Sequence, residues 1–218
     1  MLLRHGIGLP LTVLVLPALF EEANRMRRFT VSLMRALAMR GIGSILPDLP
    51  GTGESLRPLS EVSLDDWREV VSTLASNLRQ DQGQCLTVAI RGGAILDTTA
   101  DHGWRLVPET GERVLRDMVR ATALSSTTTA TEIDRRARVE PTLLAGQTLS
   151  PALYCQLAAA TLSSSGRRTA RPVEDIGTRD EALVGTRLWR NAEPGDDPEF
   201  VLACVNSIEN WSATCAIH

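Results

Sequence analysis

Residues 85–93 read CLTVAIRGG, an apolar run that ends in an arginine and two glycines. A short continuous apolar run predicts a strand that is covered on both faces in a parallel sheet. Gly92 and Gly93 allow the chain to turn sharply after the strand, and the small residues around 94–100 predict a helix behind the turn. At such a bend the central side chain, here that of Arg91, points outward from the end of the strand.

The residues before this stretch alternate between strand and helix patterns. Residues 11–16 (LTVLVL) predict a buried strand, and residues 43–46 (GSIL) predict a second one. Between them, residues 21–40 carry apolar side chains at intervals of three and four, with acids at the start, which predicts a helix. A helix between adjacent strands implies that the strands are parallel and joined by a right-handed crossover.

The same order continues through the first half of the chain. Ser63 and Asp66 resemble a capping box, and the apolar stripe behind them predicts a helix that runs to about residue 78. Residues 104–107 predict a fourth strand after the CLTVAI strand. The sequence therefore predicts an α/β fold with a doubly wound, mostly parallel sheet and helices on both faces.

The second half is less regular. Residues 125–131 are rich in Ser and Thr and predict a flexible loop, and residues 163–171 predict a mobile segment. Helices are predicted at 111–124, 149–162 and 199–210. The length of 218 residues suits one domain over 1–218, in which 110–165 would form a cap-like or irregular helical insertion.

Charge and composition exclude several classes of partner. The formal net charge is −3, and the arginines are scattered, so we expect no nucleic acid partner. Pro10 and Pro17 divide the apolar stretch 7–20, and no other apolar run is long enough for a membrane span, so we expect a cytoplasmic protein without membrane insertion. The spacing of the four cysteines does not fit a zinc site, so we expect reduced core thiols, no metal and no cofactor.

Ligands of open parallel sheets bind at the carboxyl ends of the strands. Residues 17–28, 47–55 and 89–93 follow predicted strands and are the candidate site segments. In the second of these, Asp48 precedes the closely spaced Gly51 and Gly53, so it either shapes a turn or takes a direct catalytic part.

Residues 89–93 (AIRGG) resemble the nucleophile elbow G-x-S-x-G of α/β-hydrolases, with Arg91 at the position of the serine. An arginine stays protonated and cannot attack a carbonyl carbon. Two alternatives stay open: Arg91 binds a carboxylate or phosphate at the start of a helix, or it forms a structural ion pair with Glu21 or Glu22.

A general base is not evident either. His5 precedes the first long strand, His102 ends a predicted helix, and His218 is the last residue of the chain. Each is either a surface residue or a base, and chain order favours His218, since the triad histidine comes last in α/β-hydrolases.

Residues 17–28 (PALFEEANRMRR) resemble the P-x-x-x-E-E-x-N-x-x-R-R segment of the exosortase-A-system-associated hydrolases. Residues 38–55 resemble a second segment of that family, and residues 90–93 resemble the G-L-R-x-G elbow of its second class. The resemblance implies an α/β-hydrolase fold and a role beside bacterial exopolysaccharide and protein-sorting systems. Our candidates for substrate binding are Phe20, Glu21, Glu22, Asn24, Arg25 and Gly92.

Two departures from that family stand out: Ala89 replaces the first elbow glycine, and a closing strand with its histidine is not evident. The first hypothesis is an esterase-like hydrolase in which Asp48 or Glu21 activates water and Arg91 stabilises the oxyanion, with His218 as a further catalytic candidate. The alternative is a non-catalytic protein that binds an anionic small molecule, carbohydrate or acyl group through Arg91 and Arg25. A third hypothesis is a scaffold subunit, and the sequence leaves the oligomeric state open.

Overall fold

A computed structural model describes residues 2–215 of the chain. That part contains nine strands: β1 (Leu2–His5), β2 (Leu11–Leu16), β3 (Ile42–Pro47), β4 (Leu86–Ile90), β5 (His102–Leu106), β6 (Thr142–Leu144), β7 (Gln147–Leu149), β8 (Arg167–Pro172) and β9 (Glu181–Leu183). Seven form the central sheet in the order β1-β3-β2-β4-β5-β8-β9, while β6 and β7 form a separate hairpin. Every pair in the central sheet is parallel except β1 with β3, so the mostly parallel sheet is confirmed.

Helices cover both faces of this sheet, as predicted. They are α1 (Glu21–Met39), α2 (Leu64–Gln82), α3 (Gly111–Leu124), α4 (Ala130–Ala137), α5 (Pro151–Ala159) and α6 (Pro198–Cys215). Apolar side chains of α1 and α6 share one buried cluster, and those of α2 to α5 share the other. In β2, Val13 and Val15 join the first cluster while Leu14 and Leu16 join the second. A strand that supplies both cores has to be apolar throughout, which explains the run LTVLVL.

The helix starts follow the sequence signals closely. The Ser63 side chain accepts a hydrogen bond from the Asp66 backbone, and the Asp66 carboxylate accepts one from the Ser63 backbone. The Ser150 side chain caps α5 by accepting a hydrogen bond from the Leu153 backbone, and Pro151 is the first residue of that helix. These local contacts are formed by near neighbours in the chain, so they could be predicted without knowledge of the tertiary fold.

The segment behind the Arg91 turn differs from the prediction. A helix was predicted around 94–100, and residues Arg91–Thr99 form a 3₁₀ helix that begins directly after β4 and is interrupted at Asp97. A Cβ atom at Gly93 would lie 2.3 Å from the carbonyl oxygen of Pro17, so the segment runs hard against the end of β2. At its other end the buried Asp97 carboxylate pairs with Arg105 at 2.6 Å. The two anchors hold the chain in a tighter winding than the residue pattern indicates.

The expectation of a mobile segment at 163–171 is wrong, because Arg167–Pro172 is a strand of the central sheet. The arginines of this segment are polar, so the sequence pattern resembles that of a loop. Here the side chain of Arg167 is only 4% exposed, lies 3.2 Å from the Asp97 carboxylate and donates to the carbonyl of Ala100. Partners from another part of the chain therefore allow a charged residue to occupy this strand.

Residues between β5 and β8 form an enlarged crossover that contains α3, α4, the β6–β7 hairpin and α5. Leu115, Ile133 and Leu153 of this region belong to the same buried cluster as Trp67 of α2. The sequence predicted α3 and α5 but not α4, whose first residue Ala130 falls in the expected Ser/Thr-rich loop. The side chain of Thr129 caps α4, so residues that suggested a loop serve as a helix start.

The four cysteines are free thiols, and Cys85, Cys204 and Cys215 are buried. Burial raises the pKa of Cys85 to about 11, so this thiol is protonated and unreactive at neutral pH. Cys155 is exposed, which corrects the expectation of a core thiol at that position. Within residues 2–215, every helix is too short or too polar to cross a bilayer.

The capping box of α2 leads to a stability prediction. Replacement of an N-cap serine by alanine leaves a backbone N–H without its acceptor. We expect Ser63→Ala to lower the free energy of unfolding by about 1 kcal/mol, measured by urea denaturation. Ser76→Ala, on an exposed site within the same helix, is the control and should cause no loss. Equal losses in both variants would contradict a specific capping contribution.

The Asp66 carboxylate, which completes the capping box, makes the stability of the protein depend on pH. Hydrogen bonds from the Ser63 and Arg57 side chains lower the pKa of Asp66 from 3.8 to about 2. Because the folded value lies below the unfolded one, this stabilisation is present above pH 3.8 and is lost as the pH falls towards 2. The difference in the free energy of unfolding between the parent protein and Asp66→Asn should therefore become smaller as the pH falls from 3.8 to about 2. Asp81→Asn, exposed in the same helix, should not lower stability at any of these pH values.

Candidate functional site

The turn after β4 holds its central residue in a conformation that is rare for side chains other than glycine. Arg91 has φ 54°, and Gly92 and Gly93 follow it. A Cβ atom at Gly92 would lie 3.1 Å from Val114 and 3.2 Å from Leu19, so a larger residue would press on both side chains. The bend that the sequence predicted is present, and it directs the Arg91 side chain toward the carboxyl ends of the parallel strands.

The guanidinium of Arg91 is buried among acids and an aromatic ring. Nη2 donates to Glu22 Oε1 at 2.8 Å, and Nε donates to Glu22 Oε2 at 3.1 Å. Nη1 donates to Glu109 Oε1 at 2.9 Å and to the carbonyl oxygen of Val107 at 3.2 Å. The guanidinium carbon lies 4.8 Å from the ring centre of Trp189. We call Arg91, Glu22 and Glu109 the elbow ion cluster.

Of the two alternatives left open for Arg91, the ion pair is the one present, and its partner is Glu22. Burial alone would lower the pKa of Arg91, but the hydrogen bonds and charges of Glu22 and Glu109 raise it above its usual value. Glu21, the other candidate, is half exposed and pairs instead with Arg25 at 3.3 Å. The sequence did not single out Glu109, although its position just after β5 at the carboxyl edge of the sheet was a usable signal.

A charged cleft lies in front of the elbow ion cluster and has a volume of about 800 Å³. The chain contains no lysine, so every cation in its lining is a guanidinium. The lining arginines are Arg25, Arg91, Arg113, Arg171, Arg187 and Arg190, and the lining acids are Glu22, Glu109, Asp117 and Asp175. We call this cavity the arginine cleft. Its lining carries more positive than negative charge, which suits an anionic ligand.

The arginines of the cleft fall into an inner and an outer group. Inside, Arg171 pairs with Asp175 at 2.7 Å, and both side chains are largely buried. Outside, Arg187 is 4.0 Å from a Glu174 that is 80% exposed, and Arg190 is exposed. Arg25 also belongs to the outer group, because its pair with Glu21 is solvent-exposed. Exposed pairs contribute little and are easily exchanged, so the outer guanidinium groups can accept a ligand.

An apolar pocket of about 190 Å³ opens beside the arginine cleft. Its apolar lining comes from the start of α1, from α3 and from the hairpin: Leu19, Phe20, Val114, Met118, Ala121 and Ala145. Charged residues at its rim, among them Arg25 and Arg91, also line the cleft, so the two cavities are continuous. Of the candidate binding residues, Phe20, Glu21, Glu22 and Arg25 line the apolar pocket, and Gly92 lies under it through its contact with Leu19.

The remaining candidates lie elsewhere. Asp48 sits in the turn after β3, where its carboxylate packs against Gly53, and it lines neither the arginine cleft nor the apolar pocket. That placement agrees with the turn-shaping alternative. Asn24 is exposed and lines a separate cavity near Gly53. His218 lies outside the described residues.

The described part of the chain offers few groups for acyl transfer. Over residues 2–215, no Ser, Thr, Cys or His lines the arginine cleft or the apolar pocket. His102 begins β5, so it lies at the opposite end of the sheet from the elbow, and His5 is on the edge strand β1. The same residues contain no group of three His, Cys, Asp or Glu side chains that could hold a metal ion.

Comparison with known proteins identifies the type of fold. No family model and no curated protein matches the chain. Among solved structures, the ferulic acid complex of Est1E from Butyrivibrio proteoclasticus matches with 11% identity, 78% coverage of this chain, 73% of that chain and a TM-score of 0.55. A protein from Agrobacterium vitis S4 with a provisional hydrolase name matches with 16% identity, coverage of 96% and 92% and a TM-score of 0.49. The likeness to Est1E, together with the observed sheet order, shows a fold of the α/β-hydrolase type.

The elbow ion cluster leads to a stability prediction. Removal of the Arg91 side chain leaves Glu22 and Glu109 without their shared cation in a largely buried place. We expect Arg91→Ala to lower the free energy of unfolding by roughly 3 kcal/mol in urea denaturation. Arg113→Ala removes an arginine that is 58% exposed and also pairs with Glu109, and it should cost less than about 1 kcal/mol. A similar small loss for Arg91→Ala would mean that the cluster does not hold the elbow together.

Proposed function

We propose that this chain is a non-catalytic protein of the α/β-hydrolase fold that binds an anionic small molecule in the arginine cleft. One observation carries the proposal: the position of the nucleophile holds a guanidinium that is paired with two carboxylates. A protonated arginine has no lone pair for attack on a carbonyl carbon. The arginines of the cleft, which outnumber its acids, then bind an anionic ligand and do not cleave a bond.

The outer arginines make the ligand contacts in this proposal. Arg25, Arg187 and Arg190 are partly or fully exposed, and Arg25 Nη1 donates to the carbonyl oxygen of Trp189 at 3.2 Å. That hydrogen bond holds Arg25 beside the short 3₁₀ helix Leu188–Arg190, and all three arginines line the cleft. Arg91 acts as a positioning residue, since Glu22 and Glu109 already occupy its donors. Recognition through Arg25 therefore stays in the proposal, and direct recognition through Arg91 does not.

The cellular setting rests on the resemblance of residues 17–28 to the exosortase-A-system-associated hydrolases. Glu22 and Arg25, which shape the elbow and the cleft, both belong to that segment. We therefore place the protein beside bacterial exopolysaccharide and protein-sorting systems, with an acidic carbohydrate or acyl compound as the ligand. The free cysteines support a cytoplasmic location, because thiols stay reduced there.

Ester hydrolysis by water is the second candidate function. The observation in its favour is the half-exposed carboxylate of Glu21, which lines the apolar pocket beside Arg25. A carboxylate there can take a proton from water while the apolar pocket holds the acyl group. The likeness in fold to Est1E is compatible with both candidates.

Two assays separate the candidates. We expect no labelling by a fluorophosphonate probe and no turnover of p-nitrophenyl acetate above buffer, because the cleft has no activated nucleophile. Covalent labelling, or turnover that Glu21→Gln abolishes, would favour hydrolysis instead.

Binding is tested by calorimetric titration with inorganic phosphate and with glucuronate. Arg25→Gln should weaken binding by about tenfold, the effect of one charge-assisted hydrogen-bond pair. Arg35→Gln changes an exposed arginine of the same helix and should leave the affinity unchanged. Equal affinity in all three proteins would overturn the role of Arg25.

A further inference from the structure

The arginine cleft and the apolar pocket share one wall. Six charged residues line both cavities: Glu22, Arg25, Arg91, Glu109, Arg113 and Asp117. The two cavities are continuous at these shared side chains. A ligand held by the outer arginines therefore lies within reach of the apolar pocket.

The exposed lining of the pocket is mostly apolar, although charged side chains also contribute to it. Leu19, Phe20 and Met118 are at most 8% exposed, and Val114 and Ala121 complete the lining from α3. A methionine side chain adapts its shape to a partner and makes favourable contacts with aromatic rings. Apolar surface that packs against these side chains leaves water, which is favourable.

The volume of the pocket restricts what can enter. A dry cavity of about 150 Å³ lined by Leu, Ile and Phe holds one benzene molecule. The apolar pocket measures about 190 Å³, so it accommodates one ring or a short alkyl chain, and the remainder of a long acyl chain would lie among the charged side chains of the arginine cleft.

Charges at the junction determine the orientation of the ligand. The acids Glu22, Glu109 and Asp117 line both cavities, and the first two are held close to Arg91, so this side of the junction repels a second anion. Arg25 faces the junction and is paired at 3.3 Å with the exposed carboxylate of Glu21. A carboxylate of the ligand can take the place of the Glu21 carboxylate on this guanidinium.

From these observations we infer that the ligand is a small amphiphilic acid, which has a ring-sized apolar group in the apolar pocket and a carboxylate on Arg25. This inference rests on the proposed anion-binding function and names the class of ligand for the same site. The pocket selects for the apolar group, and the outer arginines select for the charge. A simple anion contacts only the outer arginines, and a neutral aromatic compound contacts only the apolar pocket.

The test compares four probes by isothermal titration calorimetry on the full chain: 3-phenylpropionate, acetate, 3-phenylpropionamide and dodecanoate. We expect 3-phenylpropionate to bind about tenfold or more tightly than acetate, because a buried ring adds apolar contact. 3-Phenylpropionate should also bind more tightly than its neutral amide, and dodecanoate should bind no more tightly than 3-phenylpropionate. A negative heat-capacity change should accompany binding of the aromatic acid but not of acetate.

A matched pair of variants tests the pocket itself. Ala121→Phe places a ring at the mouth of the apolar pocket on α3 and should reduce the ratio of 3-phenylpropionate to acetate affinity to near one. Ala213→Phe makes the same change at an exposed alanine of α6 and should keep the ratio of the parent. Thermal unfolding of both variants verifies that they are folded.

The outcomes separate this inference from the proposed function. If acetate and 3-phenylpropionate bind equally well, or Ala121→Phe does not change their ratio, the amphiphile inference is wrong while anion binding stands. If neither acid binds and phosphate and glucuronate do not bind either, the anion-binding function itself is wrong.

Discussion

The pairing of Arg91 with Glu22 and Glu109 is the constraint on which the rest of the site depends. These three residues come from the bend after β4, the start of α1 and the loop after β5, so one buried cation joins three segments that are distant in the sequence. Each of these charged side chains would destabilise the folded protein if it were buried without the others, since a buried charge needs a counter-charge. The cluster therefore holds the elbow, the first helix and the wall of the cleft in one fixed arrangement.

This arrangement changes what the fold can do. In a hydrolase the same bend presents a nucleophile to a substrate, and the surrounding groups supply a base and an oxyanion site. In this chain the bend is kept, with φ 54° at Arg91, but its side chain is used to hold acids. In the function that we propose, the outer arginines and the apolar pocket bind a ligand instead.

A second buried charge cluster, which includes a residue of β5, has a similar structural role. Asp97 is fully buried and pairs with Arg105 of β5 and Arg167 of β8. Through it the two neighbouring strands are tied to the 3₁₀ helix behind the elbow. Both clusters join segments that separate parts of the sequence supply, and neither could be predicted from a local pattern.

The sequence by itself determined the strands β2 to β5, the helices α1 to α3, α5 and α6, and the sharp bend at Arg91, because apolar periodicity, helix caps and glycines act over a few residues. Only the tertiary structure decided that arginine-rich residues at 167–172 form a strand, that Arg91 binds Glu22 rather than Glu21, and that Glu109 completes the cluster. The reason is physical: a charged side chain can be buried only where its partners are, and the fold brings those partners from far along the chain.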